Sequence, residues 1–535
     1  MEVSMSQFRS VLSWSLVLIL AACGGDDASS SGADASAGGS SSSGGSGSGE
    51  ASSSGGSEST STGGSSGGTG DTTGATGTTG EPGLPPGPWD LGEPIPPGEE
   101  PPGDPAAGYY ALLNEGYVSC GVPWLVWPLA EPLLGDFTRG DPLPGRTGKN
   151  AQVPYNWTVH TPSSGVELVS LNCLECHAGS FNGELVLGLG VADMDFTTVP
   201  MGSLVENLPL LPFPGGVLAE VNKFVSRYQA VGPAISMLTV GTNPADMLAV
   251  QLAAHRDAQT LAWSQEALVD VPSIMAPVDT PPWWRAYKKN GLFYNGMARG
   301  DHRGTMMFAS SLCTDSVEEA EAIMAYFDDI AAYIKSLREP KYPFVIDEGL
   351  AAAGEGVFLA NCAGCHGTYS ADEAAETYPN LIFPLEVIGT DPTIIQAGEE
   401  IGYQVEWFNE SFYGTITQLV LDDPLAGYVA PPLDGVWATG PFLHNGSVPT
   451  IAALLESGTR PASWRRVDFD STHFDEEGLG WPFEALPYGQ DQAPASERKF
   501  VYDTSKPGHS NAGHTFGDAL SVEARRAVIE YLKTI

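Results

Sequence analysis

Cysteine is scarce in this sequence, basic side chains are outnumbered by acids, and no apolar run is long enough to span a bilayer. The 535 residues include 7 cysteines, with 24 basic side chains against 65 acidic ones, a net charge of −41. So few cysteines exclude a scaffold built on disulfides. The shortage of cations excludes a nucleic-acid binder, because phosphate neutralisation needs Lys and Arg. Residues 24–80 hold no aromatic residue, no lysine and no arginine. Methionine is missing from the C-terminal part, since none of the 11 lies beyond Met324.

The N-terminus has the pattern of an export signal. Arg9 and the free amine precede an apolar stretch from Val11 to Ala22. That is about a dozen residues, where a bilayer core needs roughly 20. The stretch ends in Leu20-Ala21-Ala22-Cys23, which resembles the bacterial lipobox, with Cys23 as the acylated residue. An ordinary secretory signal with an incidental cysteine is the plainer alternative. Residues 24–80 are nearly all Gly, Ser, Thr and Ala, with nothing to bury, and are expected to be disordered. As a flexible coil they reach roughly 40 Å. Residues 81–105 are Pro-rich, which predicts a stiffer spacer. The expected arrangement is a soluble body on a tether (residues 24–105), held in the cell envelope through the lipid alone. Gly24 points to the outer membrane, with the body facing the periplasm or the cell exterior. The foldable part, residues 106–535, carries 23 basic and 52 acidic side chains, which predicts an anionic surface.

Two segments bear the chemistry, Cys173-Leu174-Glu175-Cys176-His177 and Cys362-Ala363-Gly364-Cys365-His366. Both match the CxxCH attachment motif of haem c. Two thiols three apart on one helical turn add across the two haem vinyl groups, and the adjacent histidine is held against the iron. A CxxC redox pair leaves His177 and His366 without a role. A zinc site needs four ligands close together, and no other cysteine lies near either motif in the sequence. The cofactors expected are two covalently bound haem c groups, held by Cys173, Cys176, Cys362 and Cys365, with His177 and His366 as metal ligands.

The surroundings predict a mainly α fold. Helices are expected over Asp347 to Asn361, over Ser316 to Leu337 with a capping box between Ser316 and Glu319, and over Ser521 to Ile535. The last two share a short repeat, Tyr333-Ile334-Lys335 and Tyr531-Leu532-Lys533. The chain then divides into two cytochrome-c-like haem domains with large irregular insertions, residues 106–340 and 341–535. Cys120 and Cys313 are left over. In an oxidising compartment they form a disulfide or remain two buried thiols.

With no methionine after Met324, the second haem has no Met ligand of its own domain. His444, His473, His509 and His514 remain, beside a vacant or Tyr-occupied position. Candidates above the first haem are His160, His255, His302 and several methionines.

Gly440-Pro441-Phe442-Leu443-His444-Asn445-Gly446 resembles a segment of the bacterial dihaem cytochrome c peroxidase superfamily. The sequence is most similar to the rubber-oxygenase-like branch, at Leu443 to Thr450, at Leu171-Asn172 with the first CxxCH, and at Gly508 to Gly517. In that branch the second histidine of the late Gly-rich segment is the distal ligand of the C-terminal haem. The resemblance implies His514 for that place, with His444 as second choice, and leaves His473 and His509 as exposed loop histidines. It also implies an apolar pocket over the first haem, a Trp between the haems and a Phe near the reactive position. Trp283 or Trp284 fits the former, and Phe308 or Phe293 the latter. The entry to the first CxxCH that true peroxidases carry is replaced by Leu168-Val169-Ser170-Leu171-Asn172.

Two functions follow as expectations. One is a dihaem peroxidase- or oxygenase-like oxidoreductase, its N-terminal haem reacting with dioxygen or peroxide and its C-terminal haem transferring electrons. The other is a non-catalytic dihaem electron-transfer lipoprotein. The partners expected are a redox protein or small-molecule electron donor and, for the enzyme, an apolar organic substrate.

Overall fold

The structure, a computed structural model, describes residues 87–199, 201–272 and 276–535. The signal segment, Cys23 and the Gly/Ser/Thr-rich tether lie outside the described residues. The described residues form one compact unit.

Two crossed helix pairs frame this unit. In the first, α1 (Pro105–Asn114) packs on α2 (Val317–Ser336). In the second, α3 (Glu348–Asn361) packs on α4 (Val522–Leu532). Each helix begins where a side-chain oxygen satisfies the free amides of its first turn: Asp104, Ser316, Asp347 and Ser521 are the four caps. The capping box at Ser316 is only half formed. Its hydroxyl accepts from the Glu319 amide, but the Glu319 carboxylate turns back to the Asp315 amide.

The two pairs share one packing device. A Cβ on Gly108 would stand 1.9 Å from the Asp329 carbonyl oxygen, and one on Gly354 would stand 1.9 Å from that of Ala527. Only glycine lets these backbones touch. In each case the next residue met is the tyrosine four residues on, Tyr333 or Tyr531. The short Tyr-(Ile/Leu)-Lys repeat thus marks two equivalent helix crossings.

The expected mainly α class does not hold. About 41% of the chain described is helical and 12% is strand, in five small sheets, so the fold is mixed α and β. Much of the helix is single 3₁₀ turns. The physical reason lies between the helix pairs, where Gly- and Pro-rich text cannot propagate a helix but can close turns and short ladders.

Two of these sheets run across residue 340. Ala298–Gly300 pairs with Thr417–Leu419 on one edge and with Gly291–Leu292 on the other. Glu93–Pro94 pairs with Leu381–Pro384, whose other neighbour is Gly427–Val429. The cores interleave likewise. Trp407, Phe408 and Tyr413 pack into the cluster around Phe327 and Ile330, while Phe181, Leu189 and Trp284 pack into that of Phe358 and Val528.

The Pro-rich residues from 87 onward differ from the free spacer expected of them. Ile95 is buried, Trp89 lies against Gly364, and Glu100 reaches Lys335 and the His302 amide. Proline withholds an amide but leaves its carbonyl and its apolar ring, and both suit an edge strap. Cys120 and Cys313 form a disulfide with a Cα–Cα distance of 5.6 Å. Among the described residues, no helix is long and apolar enough to cross a membrane.

Candidate functional site

A single cavity of about 730 Å³ contains both CxxCH segments. Its wall is chiefly apolar and includes Cys173, Cys176, His177, Cys362, Cys365 and His366.

The two segments reach it differently. Cys362 closes α3, and Ala363–His366 forms one further helical turn, as the three-residue spacing predicts. Cys173 instead follows the strand Leu168–Leu171, in a 3₁₀ turn (Cys173–Glu175) capped by Asn172, and the hairpin Ala178–Phe181/Glu184–Leu187 begins right after His177. The helical turn expected here is therefore replaced by a tighter one.

Burial raises all four thiols, Cys173 to about 11 and Cys176, Cys362 and Cys365 to about 12. Such thiols are inert rather than poised as thiolates, which disfavours a CxxC redox pair. Among the described residues, no three His, Cys, Asp or Glu side chains group as metal ligands.

His366 is fixed by its own Nδ1, which donates to the Pro431 carbonyl at 2.8 Å and leaves Nε2 as the free nitrogen. His514 faces it with 6.2 Å between ring centres. A metal–imidazole bond of about 2.0–2.1 Å, plus roughly 1.1 Å from nitrogen to ring centre, sets two imidazoles on one metal about 6.3 Å apart. The pair is thus spaced for a shared iron. His514 takes a strained backbone, φ 44°, a left-handed value uncommon for a residue with a side chain, which its surroundings must hold. Its amide donates to the Ile388 carbonyl at 2.7 Å. Arg460 clamps the same loop, donating to the carbonyls of Asn511 and Gly513 at 2.7 Å and of His514 at 3.0 Å. Sequence reasoning missed Arg460, which has no motif and lies more than 50 residues away. Burial lowers the imidazole to about 4, aided by His366 and Arg460.

His444 also lines the cavity, stacked on Tyr428 at 4.4 Å, and its carbonyl accepts from the Asp279 amide at 2.7 Å. His473 is exposed, as expected, and bonds Asp468 at 2.9 Å. His509 is not an exposed loop residue; it is 3% exposed, with Nδ1 on the Pro507 carbonyl at 2.8 Å. The apolar wall of Tyr502 covers it.

At the first segment, His177 lines the cavity and stacks on Trp283, 4.7 Å between rings at 23°. Trp284 stands one layer behind, fully buried, its Nε1 donating to the Asp434 carbonyl at 2.8 Å, and it does not line the cavity. Phe308 lines the cavity and is braced by Trp407, Phe408 and Tyr413, at 5.7, 5.4 and 5.0 Å. Phe293 also lines it but is 40% exposed.

None of the three histidines expected above the first haem lines the cavity. His160 is buried elsewhere with neither ring nitrogen bonded, His255 stacks on Trp263 at 5.0 Å, and His302 is held beside Glu100 and the Asn290 carbonyl. Met201, Met247, Met297 and Met306 do line it. So does Glu175, whose buried carboxyl is raised to about 8.

The cavity, the placed histidines and the buried thiols together fit haem c. Comparison with known proteins agrees at a coarse level. The chain is 32% identical over 292 residues to the uncharacterized protein y4iJ of Sinorhizobium fredii (strain NBRC 101917 / NGR234), a match covering 43% of this chain and 47% of that protein. It is 25% identical over 319 residues to the uncharacterized protein y4iM of the same organism, covering 52% of this chain and 69% of that one. The chain thus spans about half the length of the first of these relatives. Residues 427–465, which carry Tyr428, His444 and Arg460, match the family described as RoxA-like, cytochrome c-like, and so imply a c-type cytochrome with covalently bound haem.

Proposed function

We propose that the protein is an exported dihaem c-type cytochrome oxidoreductase in which the two haems are unlike. Cys362 and Cys365 would attach the second, and His366 and His514 would hold its iron. Cys173 and Cys176 would attach the first, and His177 would hold its iron with one coordination position left open. Bound haem supplies one-electron redox chemistry and, where a coordination position is open, reactivity toward dioxygen or peroxide.

The chain's own residues divide the remaining work. Pro431 orients His366, and Arg460 holds the loop of His514. Trp283, stacked on His177, gives electrons an aromatic contact on the side of the first attachment segment. Phe308, Met306, Leu252 and Phe327 line the cavity with apolar surface, which excludes water and suits an apolar organic substrate. The two haem-bearing parts are residues 106–340 and 341–535. Acylation at Cys23 ties the body to the envelope, most simply the outer membrane, where a redox protein or small-molecule donor supplies electrons.

The observation that carries this reading is an asymmetry among the histidines. His514 stands 6.2 Å from His366, while His160, His255 and His302 stay off the cavity. Electron paramagnetic resonance of the oxidised holoprotein is expected to give one low-spin and one high-spin ferric signal. Two low-spin signals overturn the enzyme reading. One observation favours that second reading: Met247, Met297 and Met306 reach the cavity, and a methionine on the first iron makes the protein a non-catalytic electron carrier.

A further inference from the structure

Two cations, Arg285 and Lys289, line the cavity, and among the described residues no carboxylate is bonded to either. Arg285 is 7% exposed; its Nε donates to the Asp434 carbonyl at 2.9 Å and its Nη2 to the Thr439 hydroxyl at 3.5 Å, both neutral acceptors. Lys289 lies four residues on, just past the 3₁₀ turn Trp283–Lys288, and lines the same cavity. Burial and the neighbouring Arg285 lower its amine to about 8.

Asp434 and Asp279 act on Arg285 through space, but among the described residues no carboxylate oxygen bonds Arg285 or Lys289. Asp434 Oδ1 pairs with Lys288 at 2.5 Å, and Lys288 also holds Glu376 at 2.7 Å. Asp279 accepts from the Tyr294 hydroxyl at 3.1 Å. Asp246, raised by burial to about 6, lines the cavity but bonds neither cation. Two adjacent cations facing an apolar cavity are costly unless an anion joins them. Their position narrows what that anion is. Trp283, two residues before Arg285, stacks on His177. Both cations line the cavity that also contains Cys173, Cys176, Cys362 and Cys365.

We propose that Arg285 and Lys289 form a carboxylate-binding pair that holds propionate groups of the attached haem. This rests on the haem reading above. The guanidinium fork suits a carboxylate, and the ammonium adds a second point charge. A free carboxylate in a substrate is the other source of the same chemistry.

The test uses the holoprotein and its Lys289→Met and Lys289→Arg variants, because Arg285 also fixes the Asp434 turn and its loss compromises folding. Haem content is read first, by alkaline pyridine absorbance; a wild type without haem defeats the haem reading itself. With haem present, resonance Raman propionate-bending bands are expected to shift in Lys289→Met, and the midpoint potential of one haem to fall. Removing a cation beside an anionic propionate favours the ferric state. Lys289→Arg is expected to restore both. Unchanged bands and potentials in Lys289→Met overturn the proposal. So does a Soret change on adding octanoate that the wild type shows and Lys289→Met lacks, with propionate bands alike in both; the pair then serves a free carboxylate.

Discussion

At residues 362–366 the CxxCH text grows directly out of a capped helix, whereas at residues 173–177 it is wedged between a strand and a hairpin. The opening helix of the second half, α3, ends at Asn361, next to Cys362; the corresponding α1 ends at Asn114, with 58 residues before Cys173. Both halves keep the glycine crossing that joins opening and closing helices. What differs is the chain between, and with it the far side of each histidine. The second half folds a strained, Arg-clamped loop back over His366. The first builds an apolar wall whose brace, Trp407, Phe408 and Tyr413, comes from beyond residue 400. A shared attachment motif thus supports two unlike environments.

The largest expected effect breaks the comparison outright. His514→Ala is expected to abolish the low-spin ferric signal and leave two high-spin haems, whereas alanine at His160, His255 or His302 leaves the wild-type spectrum. Persistence of the low-spin signal in His514→Ala moves the ligand to His444.

Removing the Cys120–Cys313 bridge, which closes a separation of 193 residues, acts on the first half alone. The double serine variant is expected to lose about 2–5 kcal/mol, read as a lower Tm, with the His366/His514 signal unchanged. Gly108→Ala and Gly354→Ala sharpen the equivalence of the two crossings. Each is expected to cost about 1–3 kcal/mol through backbone displacement, and similar losses in urea unfolding support one device used twice.

The last comparison concerns pH. Burial raises Asp279 from its ordinary 3.8 to about 8. The folded protein then binds a proton that the unfolded chain releases, so stability falls as pH rises from about 4 through about 8. Asp279→Asn is expected to flatten that slope in Tm measured at pH 5 and pH 8.

What the sequence revealed was local. The CxxCH spacing, the caps at Ser316, Asp347 and Ser521 and the absence of methionine after Met324 are short-range or countable features; they pointed to the attachment thiols and left four histidines for the second haem, of which the resemblance at Gly508 to Gly517 implied His514. The exchange of segments between halves left no such trace, because Phe181 and Trp407 have the same text wherever they pack. The strand content was also hidden, since strands of two to four residues lack enough positions to show an alternation. His160, His255 and His302 carry no mark in sequence that separates a buried structural histidine from a cavity ligand. Their exclusion needed the position of the cavity.

Carbon monoxide titration of the fully reduced holoprotein tests the central claim, that one haem is closed on both faces and the other open, most directly. One molecule bound per chain in the wild type, and two in His514→Ala, is the predicted result. No binding to the wild type, or two molecules bound per wild-type chain, contradicts it.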